Sequence, residues 1–207
     1  QGNGFAKQGY PARALFSIPF VGINEKGNPV CINEKGQATV GDLNFQERDN
    51  TDYLIYEGST DPIYNGSLGN TFNYKGFHLN LFLTYAFGNV VRLDPVFKAK
   101  YNDLTSMTHD FKNRWMQPGD ENVTNVPGVV SRYEYEQNRT LLSTAYNAYN
   151  YTSVRTAKGD FIRLKEISLA YDFPHRWLEN SPVNNISLKL QATNLMLLYA
   201  DKKLNGQ

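Results

Sequence analysis

The stretch GFHLNLFLTYAFG, residues 76–88, decides how this chain is read. Phe77, Leu79, Leu81, Leu83, Tyr85 and Phe87 hold its odd positions, and all are large and apolar. His78, Asn80, Phe82, Thr84 and Ala86 hold the even ones, which are polar or small except for Phe82. A period of two is that of a β-strand, whose side chains point alternately to its two faces. One face of this strand is apolar along its whole length. The fold turns on what that face touches: a second sheet, a helix or lipid.

Its neighbours repeat the design. Upstream, YNGSLGNTFNY (residues 64–74) sets Leu68, Phe72 and Tyr74 against Ser67, Gly69, Thr71 and Asn73. Lys75 and Gly76 join the two strands as a tight hairpin. Downstream, GDFIRLKEISLAYDFP (159–174) puts Ile167, Leu169, Tyr171 and Phe173 on one face. Glu166, Ser168, Ala170 and Asp172 take the other, and Pro174 ends the strand. In ISLKLQATNL (186–195), Ile186, Leu188, Leu190 and Ala192 oppose Ser187, Lys189, Gln191 and Thr193.

The rest is less regular. Residues 1–62 are rich in glycine and proline, and Pro19 marks an edge or irregular segment. Two copies of NEKG, at Asn24 and Asn33, predict paired turns with Gly27 and Gly36 at positive φ. They lack the oxygen-ligand spacing of a calcium loop. Across 89–150 strand patterning stops. There Phe97, Tyr101, Leu104, Thr108, Phe111 and Trp115 follow helical spacing, with Asp94 as N-cap and Pro95 at the first helical position. Pro118 and Gly119 stop that helix, and the following residues read as loop.

Composition sets outer bounds. The chain is 41% hydrophobic and 14% aromatic, which supports a folded structure. A net charge of +1 excludes a globally basic nucleic-acid binder. Cys31 is the single cysteine, so no internal disulfide forms. No apolar run reaches the roughly 20 residues of a membrane helix. A spanning β-strand needs only about 9–11 residues with alternate ones facing water, so a mean hydropathy of −0.52 also suits a barrel.

Catalytic signatures are missing. His78, His109 and His175 lack zinc-site spacing, and no nucleophile elbow, phosphate loop or dinucleotide fingerprint occurs. Asp120 and Glu121 are adjacent, with nothing to set them up as an acid–base couple. The chain is read as a non-enzyme without catalytic residues, metal site or cofactor.

An antiparallel sandwich in water also gives strands with one apolar face. Three details favour a transmembrane barrel. Aromatic residues gather at strand ends, as in interfacial girdles: Tyr74 and Phe77, Tyr85 and Phe87, Tyr171 and Phe173. Short connections alternate with the very long one over 89–150, as in outer-membrane barrels. Charged Lys165, Glu166 and Lys189 sit mid-strand on the polar faces, which suits a wet lumen. The rival reading is a secreted β-sandwich carbohydrate-binding or adhesion module. In it the sequons at Asn65, Asn122, Asn138, Asn150 and Asn185 carry glycans, and Trp115, Tyr146, Tyr149 and Tyr151 stack on sugar. The same four aromatics serve a barrel as ligand-binding residues at its mouth.

The segments NYKGFHLNLFLTYAFGN, NRWMQPGDENVTNVP, GDFIRLKEISLAYDFP and LKLQATNLMLLY together resemble, in this order, the C-terminal region of SusC/RagA-type TonB-dependent outer-membrane transporters. The residues that carry the resemblance are Trp115, Pro118, Gly119 and Asp120, then Gly159, Asp160, Phe161, Arg163 and Leu164, then Asn194 and Leu195. It implies an all-β fold: antiparallel strands of a 22-stranded barrel with long extracellular loops, one containing a short helix. Residues 1–62 are then a loop-rich extracellular excursion with short hairpins. Residues 63–207 are C-terminal barrel strands around the long outer loop at 89–150, and the plug domain and remaining strands lie outside this fragment. Lipid meets Phe77, Leu79, Leu81, Leu83, Tyr85, Phe87, Ile167, Leu169, Tyr171, Phe173, Ile186, Leu188 and Leu190. The implied activity is uptake of an oligosaccharide or peptide across the outer membrane of a Gram-negative, Bacteroidetes-type bacterium. A SusD-like lipoprotein and TonB are the implied partners, with no nucleic acid.

Overall fold

The computed structural model describes residues 6–44, 50–95, 108–179 and 182–204. Its strands are β1 (Ala14–Ser17), β2 (Phe20–Ile23), β3 (Pro29–Ile32), β4 (Ala38–Thr39), β5 (Ile55–Ser59), β6 (Tyr64–Tyr74), β7 (Phe77–Phe87), β8 (Val90–Arg92), β9 (Thr156–Lys158), β10 (Phe161–Asp172) and β11 (Ser187–Ala200). Two helices, α1 (Arg132–Gln137) and α2 (Arg139–Tyr149), precede β9. The chain divides into two units. One comprises 1–61, 90–158 and 202–207, and the other 62–89 and 159–201. Among the described residues no helix is long and apolar enough to cross a membrane, which says nothing of strands.

The second unit is one antiparallel sheet in the order β11-β10-β7-β6. Lys75 (φ 46°) and Gly76 (φ 86°) both adopt the left-handed conformation, the requirement of a type I′ turn, and Tyr74 pairs directly with Phe77. The register aligns apolar positions across the sheet. Leu79 faces Phe72 and Leu169, and Leu83 faces Leu68 and Leu164. Because side chains alternate with period two, this register commits each strand's apolar set to one common face.

Two irregularities break the ladder. Leu164 pairs with Leu83 and Glu166 with Phe82, so Lys165 is an extra residue in β10. Lys165 and Glu166 are neighbours in sequence, and a regular strand would send them to opposite faces; the alternation read from the sequence stops at this bulge. On β11 the partners of those same two β10 residues are Met196 and Thr193, and Asn194 between them takes φ 53°. Ile186 and Phe173 fall just outside β11 and β10, joined by the Phe173 N–H on the Ile186 carbonyl at 3.0 Å.

The core of the first unit is built on α2. Leu142, Ala145, Tyr146 and Tyr149, at i, i+3, i+4 and i+7, are buried and pack against Phe20, Val40, Phe111, Val126, Val130, Tyr135 and Val154. Ser131 caps α1, its Oγ accepting the Glu134 N–H at 3.2 Å. The NEKG turns are Asx turns: Asn24 Oδ1 accepts the Lys26 and Asn28 N–H groups at 3.0 and 2.9 Å. Asn33 Oδ1 does the same for Lys35 and Gln37 at 3.1 and 2.9 Å, and Gly27 and Gly36 lie at φ 79° and 73°. Cys31 is buried between them in β3, and burial pushes its thiol up to about 12, which makes it unreactive.

Among the described residues the helix expected from Asp94 onward does not form. Phe97, Tyr101 and Leu104 lie outside the described residues. Beyond them His109–Asn113 forms a short 3₁₀ turn, and the chain then runs extended: Arg114 bridges Val126, and the Trp115 N–H donates to the Val126 carbonyl at 2.9 Å. These bonds take backbone groups that a helix through Trp115 would need.

Candidate functional site

The sheet of the second unit presents two chemically opposite faces. The apolar one carries Tyr64, Leu68, Phe72 and Tyr74 of β6 and the odd residues of β7. Ile162, Leu164, Ile167, Leu169 and Tyr171 of β10 continue it, followed by Leu188, Leu190 and Ala192 of β11. It is uncovered: Leu68 is 60% exposed and Leu190 64%. Rings bracket it at both ends. At one, Phe77 and Tyr171 stand 4.4 Å apart, Tyr171 and Phe173 5.0 Å, and Phe173 and Trp177 6.0 Å. At the other, Tyr85 and Phe87 are 5.8 Å apart, and Phe87 and Tyr199 6.4 Å. Phe77 to Phe87 is about 33 Å of strand at about 3.3 Å per residue. A strand tilted by about 40° therefore spans a band about 25 Å tall, the height of a barrel's apolar belt.

The other face is a hydrogen-bonded ladder across all four strands. Thr71 Oγ1 donates to Asn80 Oδ1 at 2.6 Å, and Asn80 Nδ2 donates to Ser168 Oγ at 3.1 Å. His78 lies between Asn73 Oδ1 (2.7 Å) and Asp172 Oδ2 (2.9 Å), while Gln191 Nε2 donates to Glu166 Oε1 at 2.9 Å. Phe82, the apolar exception, lies over Gly69, where a Cβ would stand 3.3 Å from its ring. Such a ring shields the glycine backbone across the strand pair. These partnerships depend on register, so single-strand alternation could not reveal them.

The motif residues hold turns. Gly159 donates its N–H to the Asn89 carbonyl at 2.8 Å, and Asp160 Oδ1 accepts the Gly88 N–H at 2.7 Å. Together they tie the start of β10 to the end of β7, and Phe161 then pairs with Ala86. Arg163 stacks on the Phe161 ring at 5.7 Å, and Leu164 opens the bulge. Asn194 supplies the left-handed residue beside that bulge, followed by exposed Leu195.

In the first unit, Pro118 and Gly119 (φ 105°) make an exposed turn. Asp120 Oδ2 accepts the Met116 and Gln117 N–H groups at 3.0 and 3.1 Å. Glu121 Oε2 accepts Trp115 Nε1–H at 3.0 Å and the Gly119 N–H at 2.8 Å. These bonds, that of Trp115 foremost, hold the Glu121 carboxyl below the usual carboxylate range. The Trp115 ring lies directly against Gly27 and Gly128; a Cβ on Gly128 would come within 2.8 Å of it. Asp120 and Glu121 are thus turn-holding groups.

The four mouth aromatics separate. Tyr146 is 5% exposed, its hydroxyl donating to the Gly128 carbonyl at 2.7 Å, and Tyr149 is 1% exposed with burial pushing its phenol up. Both are core residues and offer no face to a ligand. Trp115 is half-buried, and Tyr151 is exposed with the Arg92 guanidinium 5.3 Å from its ring. Among the described residues no cluster of three or more His, Cys, Asp or Glu side chains forms a metal site.

No family model matches the chain. A TonB-dependent receptor, P39, of Formosa agariphila is 27% identical over 169 residues, covering 76% of this chain and 15% of the receptor. The structure of the RagAB peptide transporter aligns over 93% of this chain and 20% of its own, with a TM-score of 0.61 and 20% identity. The RagAB peptide importer in its open-open state gives 93%, 19%, 0.60 and 17% in the same order. The chain thus spans no more than about a fifth of the length of these relatives. In sequence and in its mostly β fold, it is similar to one stretch of a SusC/RagA-type TonB-dependent transporter.

Proposed function

We propose that this chain forms part of the barrel of an outer-membrane, TonB-dependent nutrient importer in a Gram-negative bacterium, working with a SusD-like lipoprotein. One observation carries this reading: an uncovered apolar sheet face, ringed at both ends and about one bilayer core tall, backed by a polar ladder. In this reading the odd residues of β7, with Ile167, Leu169, Tyr171, Leu188 and Leu190, face lipid, and Phe173 and Ile186 lie at the rim. The ladder through Asn80, Ser168 and Glu166 faces a wet lumen. The outer edges of β6 and β11, unpaired among the described residues, continue into further strands of a 22-stranded barrel. Residues 89–150 form an extracellular loop, as do the hairpins of 1–62, and the cargo is an oligosaccharide or a peptide. RagAB is described as a peptide importer, which favours peptide. No enzymatic step is assigned to the chain.

Charge insertion in the full-length gene product tests the orientation. Leu81→Arg places a cation near mid-bilayer and should cost about 2–4 kcal/mol of barrel stability, whereas Asn80→Arg points into water. The expected result is loss of the heat-modifiable folded band for Leu81→Arg and its retention for Asn80→Arg. Equal behaviour of the two variants would sink the assignment.

A further inference from the structure

The turn pinned by Asp120 and Glu121 borders an open cleft of about 500 Å³, whose polar residues Asn113, Arg114, Asp120, Thr124 and Asn125 are joined by Val123 and Val126. That volume lies within the range of small-molecule sites, which pair a formed cleft with a few convergent polar groups. Its walls are tied together. Arg114 bridges Val126, and Thr124 Oγ1 donates to the Asn113 carbonyl at 2.5 Å.

Arg114 is the distinctive group. The residue is half-buried, and its guanidinium sits 4.5 Å from the centre of the Phe111 ring and donates from Nη1 to the Phe111 carbonyl at 3.3 Å. Among the described residues no carboxylate pairs with it. Asp120 shares the cavity, but its Oδ2 is engaged by two backbone N–H groups of the turn. The amides of Asn113 and Asn125 are exposed beside it.

A guanidinium held by a ring and a carbonyl, with no ion-pair partner among the described residues, presents a planar fork of N–H donors that matches two carboxylate oxygens. The flanking amides both donate and accept, and so suit hydroxyl or peptide groups next to that carboxylate. We propose that this cavity binds a carboxylate of the imported ligand, with Arg114 as its specificity-determining residue. The proposal rests on the import reading above. Two sources supply that chemistry: a uronic-acid unit of an acidic oligosaccharide, or the free C-terminus of a peptide.

The test is calorimetric titration of the full-length gene product in detergent with two matched pairs of probes. One pair is an oligogalacturonide and its methyl ester; the other is a short peptide with a free and with an amidated C-terminus. The expected result is at least tenfold tighter binding of one acid than of its neutral partner, and the pair that shows it names the source. Arg114→Gln should erase that preference. Asn125→Ala, at an exposed position that does not threaten folding, should weaken both members of the pair. Equal affinity within both pairs overturns the proposal, as does a preference that survives Arg114→Gln, an unchanged affinity in Asn125→Ala, or no binding of any probe. Fractionation is scored separately: a gene product away from the outer membrane overturns the import reading whatever the titration gives.

Discussion

Glu121 shows how much one carboxylate can organise. It takes the Trp115 indole N–H and the Gly119 N–H, and its pKa is lowered from 4.5, first by Trp115 and then by backbone N–H groups. A lowered folded-state value means the contribution is fully present above the unfolded value and is lost as pH falls through the folded one. The turn should therefore be intact at neutral pH and loosen only below pH 4.5. Trp115 is a built-in reporter, because the chain's other tryptophan, Trp177, can be replaced by Phe. In Trp177→Phe, indole emission should shift on acidification below that value; in Trp177→Phe with Glu121→Gln the acid step should vanish. An identical acid step in both variants would show that the Glu121 contact does not control the turn. Spacing alone does not make Asp120 and Glu121 an acid–base couple, and their structural use depends on backbone donors that side-chain spacing does not display.

At the scale of elements, the long strands were legible because their alternation runs for ten residues or so without interruption, and one slip in register would turn every apolar side chain over. Legibility ended where that alternation changed phase. Lys165 and Glu166 looked like two polar-face residues, and only the pairing with Leu83 and Phe82 shows the bulge between them. α2 keeps helical spacing in Leu142, Ala145, Tyr146 and Tyr149 but starts at Asn138 without a side-chain cap, and the S-x-x-E start of Ser131 and Glu134 belongs to α1. A tyrosine suits a ligand platform as well as a core, and only the burial of Tyr146 and Tyr149 decides between them. The irregularity in β11 is testable through Asn194, a non-glycine residue at φ 53°. Asn tolerates the left-handed region, whereas a β-branched residue crowds its own backbone there, at about 1–2 kcal/mol. In the full-length protein Asn194→Gly should keep the unfolding free energy read from the denaturant midpoint, and Asn194→Val should lower it by that amount. A lower midpoint for Asn194→Gly than for Asn194→Val would mean the backbone is not held left-handed in the folded barrel.

On the scale of the whole molecule, a mean hydropathy of −0.52 coexists with an apolar sheet face because the strands spend every second residue on the polar ladder. The average conceals the solvent of one face. In water that face is a liability. Tyr64, Leu68, Phe72, Leu188 and Leu190 are all exposed together on one sheet surface, and contiguous apolar patches beyond a few hundred Å² drive association in water. β6 and β11 add edges that are unpaired among the described residues and template further strand pairing. A net charge of +1 supplies almost no repulsion to keep copies apart. Expressed alone, residues 1–207 should therefore elute as a polydisperse aggregate in detergent-free buffer, and light scattering should report small particles only after a mild detergent covers the belt. Replacing Leu68, Leu81 and Leu190 together by Asn should reduce that aggregation more than replacing three exposed apolar residues of the first unit, such as Val123, Val129 and Tyr133. A monodisperse, folded monomer of the unaltered chain without detergent would remove the physical basis for placing this face against lipid, because water would then have proved an adequate solvent for it.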